Sequence, residues 1–257
     1  MFDLTGRKAI VTGSSRGLGA GIAKCFARAG ADVAVNYTSP RSKENAEAVA
    51  EEIRAMGRQA IVVQADVSKE EDVIRLVNTV EEQFGRIDIL SSNAGINSNK
   101  NIYDLELDEW QRIHDTNITG AFLMAKYVVP VMEKNKFGRI IFTSSMVAQQ
   151  GALFGQVHYA STKAALLGFA RTLARTVAKN GITVNCVAPG TIMTETLHEI
   201  LVKSDPHRLD TAIKNTPVGY VGNCDDIGYA EVYLASDEAA YVTGATLDVN
   251  GGAYIRA

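Results

Sequence analysis

Short β-branched runs alternate with longer segments of helical period, and this alternation narrows the possible folds more than any other feature of the chain. Residues 8–11, 32–36, 60–64, 87–90, 139–143, 183–187 and 246–249 read as strands. Between the early ones lie helical segments at 18–29, 42–56 and 69–84. In the last of these, Val73, Leu76, Val77, Val80 and Phe84 recur at helical spacing. Gly30, Gly57 and Gly85 follow these helices, where a C-terminal glycine is favoured, and Asp66-Val67-Ser68 supplies a cap candidate before Lys69. Such alternation with short links predicts an α/β doubly wound fold: a parallel sheet of about seven strands with helices on both faces. No internal repeat, low-complexity tract or linker divides residues 1–257, so a single domain is expected. The least patterned stretch, 194–222, contains His198, Pro206, His207 and Pro217. It is too long for a simple connection and predicts a helical excursion or substrate lid.

Composition removes several classes of function. The 257 residues include 26 Lys plus Arg against 29 Asp plus Glu, a formal charge of −3. That balance argues against a nucleic-acid partner, which needs a basic face. Residues 140–162 carry no formal charge, but Ser144, Ser145, Gln149 and Gln150 interrupt them, so no membrane span is expected. The first residues lack the apolar segment and cleavage site of a signal peptide. Cys25, Cys186 and Cys224 are an odd number, far apart and without a CxxC pair. Neither a metal site nor a disulfide framework follows from them, and a cytoplasmic location is expected.

The first strand runs into Thr12-Gly13-Ser14-Ser15-Arg16-Gly17-Leu18-Gly19, and a helix follows. Glycines let the chain turn tightly and let a pyrophosphate approach the backbone, while the helix N-terminus presents unpaired N–H groups to the anion. Gly13, Ser15, Arg16, Gly17, Leu18 and Gly19 are therefore the candidate phosphate cradle. The spacing is GxxxGxG rather than GxGxxG, and a glycine cluster alone also serves ordinary turns. An NAD site usually places a carboxylate about 20 residues beyond the glycines, on the ribose hydroxyl. Here the second strand ends Val35-Asn36-Tyr37-Thr38-Ser39, with no acid. Asn36, Tyr37, Thr38 and Ser39 become candidate ribose contacts, Arg16 a cation for an extra phosphate, and Arg41 and Lys43 further bases. NADP(H) is the expected cofactor; the plainer reading makes Arg16 a solvated turn residue.

Tyr159-Ala160-Ser161-Thr162-Lys163 begins a long helix, and its first and last residues share a face. A phenol with a pKa of about 10 must fall by about 3, roughly 4 kcal/mol, to exchange protons near neutrality. One ammonium at about 5 Å, with an effective dielectric of about 20, supplies on the order of 3 kcal/mol. Tyr and Lys at this spacing are also common on exposed helix faces. Thr143-Ser144-Ser145, Asn93-Ala94-Gly95 and Val187-Ala188-Pro189-Gly190 each follow an apolar strand. They fall on the sheet edge where ligands bind in open α/β folds.

Taken in order, TGSSRGLG, NAG, SS, YASTK, VAPGTIMT and YVTGATLDVNGG resemble the short-chain dehydrogenases/reductases over nearly the whole chain. The resemblance implies a Rossmann-type fold, a homotetramer, and hydride transfer between a nicotinamide and a carbonyl or alcohol carbon of a small-molecule substrate. It implies Tyr159 as general acid–base, Lys163 on the nicotinamide ribose and lowering the tyrosine pKa, and Ser145 polarising the carbonyl. Asn117 matches the asparagine of the proton relay. Asp66 and Asn93 fall on the adenosine side and Ile192 and Thr194 on the nicotinamide carboxamide, with Val67, Ala94, Gly95, Pro189 and Gly190 as further cofactor contacts. Ser145 lies one residue further from Tyr159 than the family spacing, which leaves Ser144 as the alternative. His158 should point about 100° away from the tyrosine, as a structural or interface residue. Cys25, Cys186, Phe122, Leu123 and Met124 read as core, and Trp110 and His114 as packing and surface.

Within the family the chain resembles both 3-oxoacyl-acyl-carrier-protein reductases and glucose 1-dehydrogenase-like sugar or polyol dehydrogenases. The length of 194–215 and the sequence Asn215-Thr216-Pro217-Val218-Gly219-Tyr220-Val221-Gly222, which is more similar to the latter, favour a small polar carbonyl, sugar or polyol, with specificity in the lid and in 148–157. Docking an acidic carrier protein needs a basic patch, for which Lys126, Arg171 and Arg175 are candidates. A non-catalytic NADP-binding regulator is the reading from another class, and the presence of Tyr159 with Lys163, Ser145 and Asn117 weighs against it.

Overall fold

The computed structural model describes residues 1–152, 155–199 and 207–256. Positions 153–154 of the expected specificity segment, 200–206 of the expected lid, including Pro206, and Ala257 lie outside them.

Seven parallel strands form one sheet in the order β3-β2-β1-β4-β5-β6-β9. They are β1 (Lys8–Val11), β2 (Asp32–Tyr37), β3 (Ala60–Gln64), β4 (Ile89–Ser92), β5 (Gly138–Thr143), β6 (Ile182–Pro189) and β9 (Thr246–Val249). Successive side chains of a strand face opposite sides, so a strand buried on both reads as a continuous apolar run. Accordingly Ile10, Leu90, Ile140 and Phe142 enter one core, and Val11, Ile89, Ile141 and Val187 the other. The first core is closed by α3 (Glu70–Phe84), α5 (Gly120–Asn135) and α7 (Val157–Val177). The second is closed by α1 (Gly17–Arg28), α2 (Lys43–Ala55) and α10 (Cys224–Ala235). The Rossmann-type α/β arrangement expected from the alternation is the one observed, and Val73, Leu76, Val77 and Val80 are the buried stripe of α3.

Several local expectations are corrected. The fourth strand runs Ile89–Ser92 rather than 87–90, and Asp88 just before it turns its carboxylate to the Lys8 N–H and the Arg86 guanidinium. Asp66 does not cap α3: its carboxylate accepts from the N–H and hydroxyl of Ser68, and the uncapped Lys69 precedes the helix. Phe122 is not core but 46% exposed, while Leu123 and Met124 are buried. Between α4 (Leu107–His114) and α5, residues Asp115–Thr119 form a π-helical turn that no periodicity announced. In the 194–222 region, α8 (Glu195–His198) and α9 (His207–Lys214) are described, and β8 (Gly222–Asn223) pairs with β7 (Ile192–Met193). α6 (Val147–Gln150) is a single turn before α7. Among the described residues no helix is long and apolar enough to cross a membrane.

Candidate active site

The order of strands reverses between β1 and β4, and ligands of open α/β sheets bind at such a switch point. A cleft of about 1430 Å³ opens there. All of the expected site residues line it except Asn36, Asn117 and Lys163. Asn36 is buried behind the glycine turn: its Oδ1 accepts from Gly13 N–H at 3.0 Å and its Nδ2 donates to Ala65 O at 3.1 Å. It shapes the turn and is corrected from a ribose contact to a brace. Asn93 ties the end of β4 to the same turn, with Nδ2 donating to Thr12 O at 3.0 Å.

The turn fits a dinucleotide on three observations. A Cβ on Gly19 would stand 2.5 Å from Gly13 O and 2.6 Å from Asn93 Nδ2, so the helix approaches the turn only without a side chain. The N-terminus of α1 has no side-chain cap and no acid in its first turn, which leaves its N–H groups and partial positive charge for an anion. Arg16, directly before α1, is exposed, and its guanidinium makes no hydrogen bond or ion pair within the described residues. Thr38 is exposed nearby, with Ser39 and the previously unremarked Ser42 on the same wall.

At the other end, α7 carries Tyr159 to the cleft and Lys163 beneath it. Lys163 is 3% exposed, and its Nζ donates to Thr143 O at 2.6 Å and stands 5.5 Å from the Tyr159 ring centre. The two serines separate by role. Ser144 is buried and its hydroxyl donates to Lys163 O at 2.9 Å, whereas Ser145 lines the cleft and faces the phenol. Asn117 is held in the π-helical turn, where the widened backbone turns its side chain inward. Its Oδ1 accepts from Ile96 N–H at 2.8 Å, and its Nδ2 donates to Ile96 O at 2.9 Å and Thr162 Oγ1 at 3.1 Å. Asn117 Oδ1 and Lys163 Nζ both lie 3.4 Å from where a Cβ on Gly95 would be, so these two groups converge beneath that glycine.

Burial sets the protonation of the pair. It raises the Tyr159 phenol above its usual value, and the Ser145 hydroxyl acts the other way. It also pushes the Lys163 amine down to about 8. The lowering of the phenol by Lys163 argued from sequence is not present in this state, because the amine is itself desolvated and turned to Thr143 O. The site residues that the sequence reading passed over lie on the loop after β4, where Asn97, Ser98 and Asn99 line the cleft with Gln156. The polar run Asn97-Ser98-Asn99-Lys100-Asn101 directly after the Asn-Ala-Gly turn was their only signal.

A family model described as enoyl-(acyl carrier protein) reductase matches residues 13–254. The chain belongs to the short-chain dehydrogenase/reductase family. It is an oxidoreductase that acts between carbonyl and alcohol carbons of a small molecule with a nicotinamide cofactor. The chain is 41% identical over 249 residues to the 3-oxoacyl-acyl-carrier-protein reductase FabG of Staphylococcus epidermidis, covering 97% of this chain and 99% of that one. It is 40% identical over 251 residues to glucose 1-dehydrogenase 2 of Bacillus subtilis, with 97% and 95% covered. The solved structure of a short-chain type dehydrogenase/reductase from Mycobacterium marinum superposes with a TM-score of 0.88 at 33% identity, covering 99% and 98% of the two chains.

Proposed function

We propose that the chain is an NADPH-dependent reductase of a small polar carbonyl compound, a sugar or polyol derivative. The observation that carries the reading is the placement of Tyr159 and Ser145 on one cleft whose far end is the uncapped N-terminus of α1 beside the unpartnered Arg16. NADPH bound there supplies the hydride. Gly13 to Gly19 would hold the pyrophosphate, Arg16, Thr38 and Ser39 the ribose phosphate, and Lys163, turned from Thr143 O toward the cleft, the nicotinamide ribose. The Ser145 hydroxyl donates a hydrogen bond to the carbonyl oxygen of the substrate, and the Tyr159 hydroxyl gives that oxygen its proton. Asn117 positions the Ile96 backbone beside this proton path. Residues 1–257 work as one domain, with 194–222 closing over the substrate.

The rival substrate, a 3-oxoacyl group on a carrier protein, is favoured by the Staphylococcus relative. Two features support the small polar substrate instead. The loop after β4 and the start of α7 bring three amides and a hydroxyl to the cleft (Asn97, Asn99, Gln156 and Ser98), and Lys126, one of the three candidate docking bases, is paired with Glu70 at 2.6 Å. A homotetramer in the cytoplasm completes the reading; the three free cysteines are in keeping with a reducing compartment.

The test is an NADPH-consumption assay over ketones, sugars and acyl thioesters, with Tyr159→Phe as control. Removing the proton while keeping the ring should lower turnover at least about 10²-fold and leave NADPH binding intact. Turnover within a few-fold of the parent would mean that another group is the acid.

A further inference from the structure

The cleft wall after β4 is fastened to the start of α7 at three points. Gln156 N–H donates to Lys100 O at 2.9 Å, Gln156 Nε2 donates to Asn99 Oδ1 at 2.7 Å, and the Ser98 hydroxyl meets His158 Nε2 at 3.0 Å. His158 is fully buried and directly precedes Tyr159. Beyond that link the Glu109 carboxylate is paired with Lys100 at 2.8 Å, and Lys100 and the Ser98 hydroxyl hold its carboxyl below the ordinary value. His158 Nδ1 is buried with no hydrogen-bond partner, so the ring is held through Ser98. Burial holds the imidazole below its usual pKa. Lys100, Glu109, Ser98 and His158 thus follow one another from the surface to the residue beside the phenol.

We propose that His158 is a positioning residue that fixes the substrate wall against Tyr159 and thereby sets which carbonyl compounds fit. It touches no reacting atom. It holds Ser98 in place, and Asn97 beside it is left facing the cleft with no hydrogen-bond partner among the described residues, as a carboxamide for a hydroxyl flanking the carbonyl. This inference rests on the reductase reading above.

His158→Leu removes the ring nitrogen and keeps bulk; His158→Gln keeps an amide near the Nε2 position that can donate to or accept from Ser98. Amide hydrogen exchange over residues 96–101 is measured on the protein without cofactor, followed by KM, kcat and NADPH affinity. The leucine variant should exchange faster there and raise KM for the carbonyl substrate about tenfold, the size of one lost hydrogen bond. Its kcat should stay within a few-fold, its NADPH affinity should not change, and glutamine should restore both exchange and KM. Unchanged exchange, an unchanged KM, a fall in kcat alone, or glutamine behaving as leucine would each overturn the proposal. If the leucine variant does not fold, Ser98→Ala breaks the same link from the loop side and should give the same pattern. A parent that reduces no carbonyl compound would sink the reductase reading instead, and exchange in the variants would still decide whether His158 holds the wall.

Discussion

Arg16 stands at the mouth of the cleft with its guanidinium unpartnered, next to the exposed Thr38 and with no carboxylate at the end of β2. A charge-assisted bond to a phosphate is worth roughly 1.5–3 kcal/mol. Arg16→Ala should therefore weaken NADPH by about ten- to a hundredfold and leave NADH almost untouched, as read by fluorescence titration of both. Glu231 is a second side chain with a measurable consequence. It is completely buried on α10, accepting from Thr143 Oγ1 at 3.4 Å with Oε2 unbonded, and burial pushes its carboxyl up to about 8 from an ordinary 4.5. Unfolded, the group gives up its proton near 4.5; folded, it keeps it to about 8. Between those values the folded chain holds the extra proton, so stability falls as pH rises and the loss is complete above about 8. Glu231→Gln cannot ionise. Its stability advantage over the parent should grow from pH 5 to pH 8, reaching the order of 4 kcal/mol, in denaturant melts across that range. A gap that stays flat with pH would refute the assignment.

The helices position the site through their ends as much as through their faces. α10 starts with a full capping box: Asn223 Oδ1 accepts from Asp225 N–H at 2.8 Å and Asp226 N–H at 3.3 Å, and Asp226 returns a carboxylate to Asn223 N–H at 2.8 Å. α10 packs along α1, whose N-terminus opens on the cleft. Asn223→Ala should cost about 1 kcal/mol, lowering Tm by about 2–4 °C in calorimetry. The start of α3 shows why caps misled the sequence reading. An acid and a serine just before a helix fit a cap, but the acid's side chain can instead close its own turn on Ser68, and only the backbone path decides between them. The π-helical turn at Asn117 was hidden for a related reason, since one extra residue in a helix leaves the apolar pattern on either side intact.

Assembly turns on a surface that apolar periodicity cannot separate from core. Phe122 on α5 is 46% exposed and meets Phe169 of α7 edge to face at 6.5 Å. A two-fold pairing of these helices with their copies would cover it, as the proposed homotetramer requires. Sedimentation should give a tetramer at micromolar concentration, and Phe122→Glu should split it into smaller species by placing a charge in that contact. A monomeric parent would refute the assembly.

The seven strands of the main sheet, to within a few residues, its two-sided burial, the glycine turn and the Tyr159–Lys163 spacing were legible from the amino-acid order. Each depends on local periodicity, or on a residue type whose backbone or reactive group is special wherever it sits. The placement of Ser144 against Lys163 O and of Ser145 on the cleft was not legible, because adjacent serines are chemically identical until the strand end directs them. Asn36 acts as a brace, Lys163 is turned to Thr143 O, and His158 is tied to Ser98 from 60 residues away. These are contacts between strand ends and helices far apart in the chain. Desolvation and hydrogen bonds act through space, so only the packed tertiary structure could decide them.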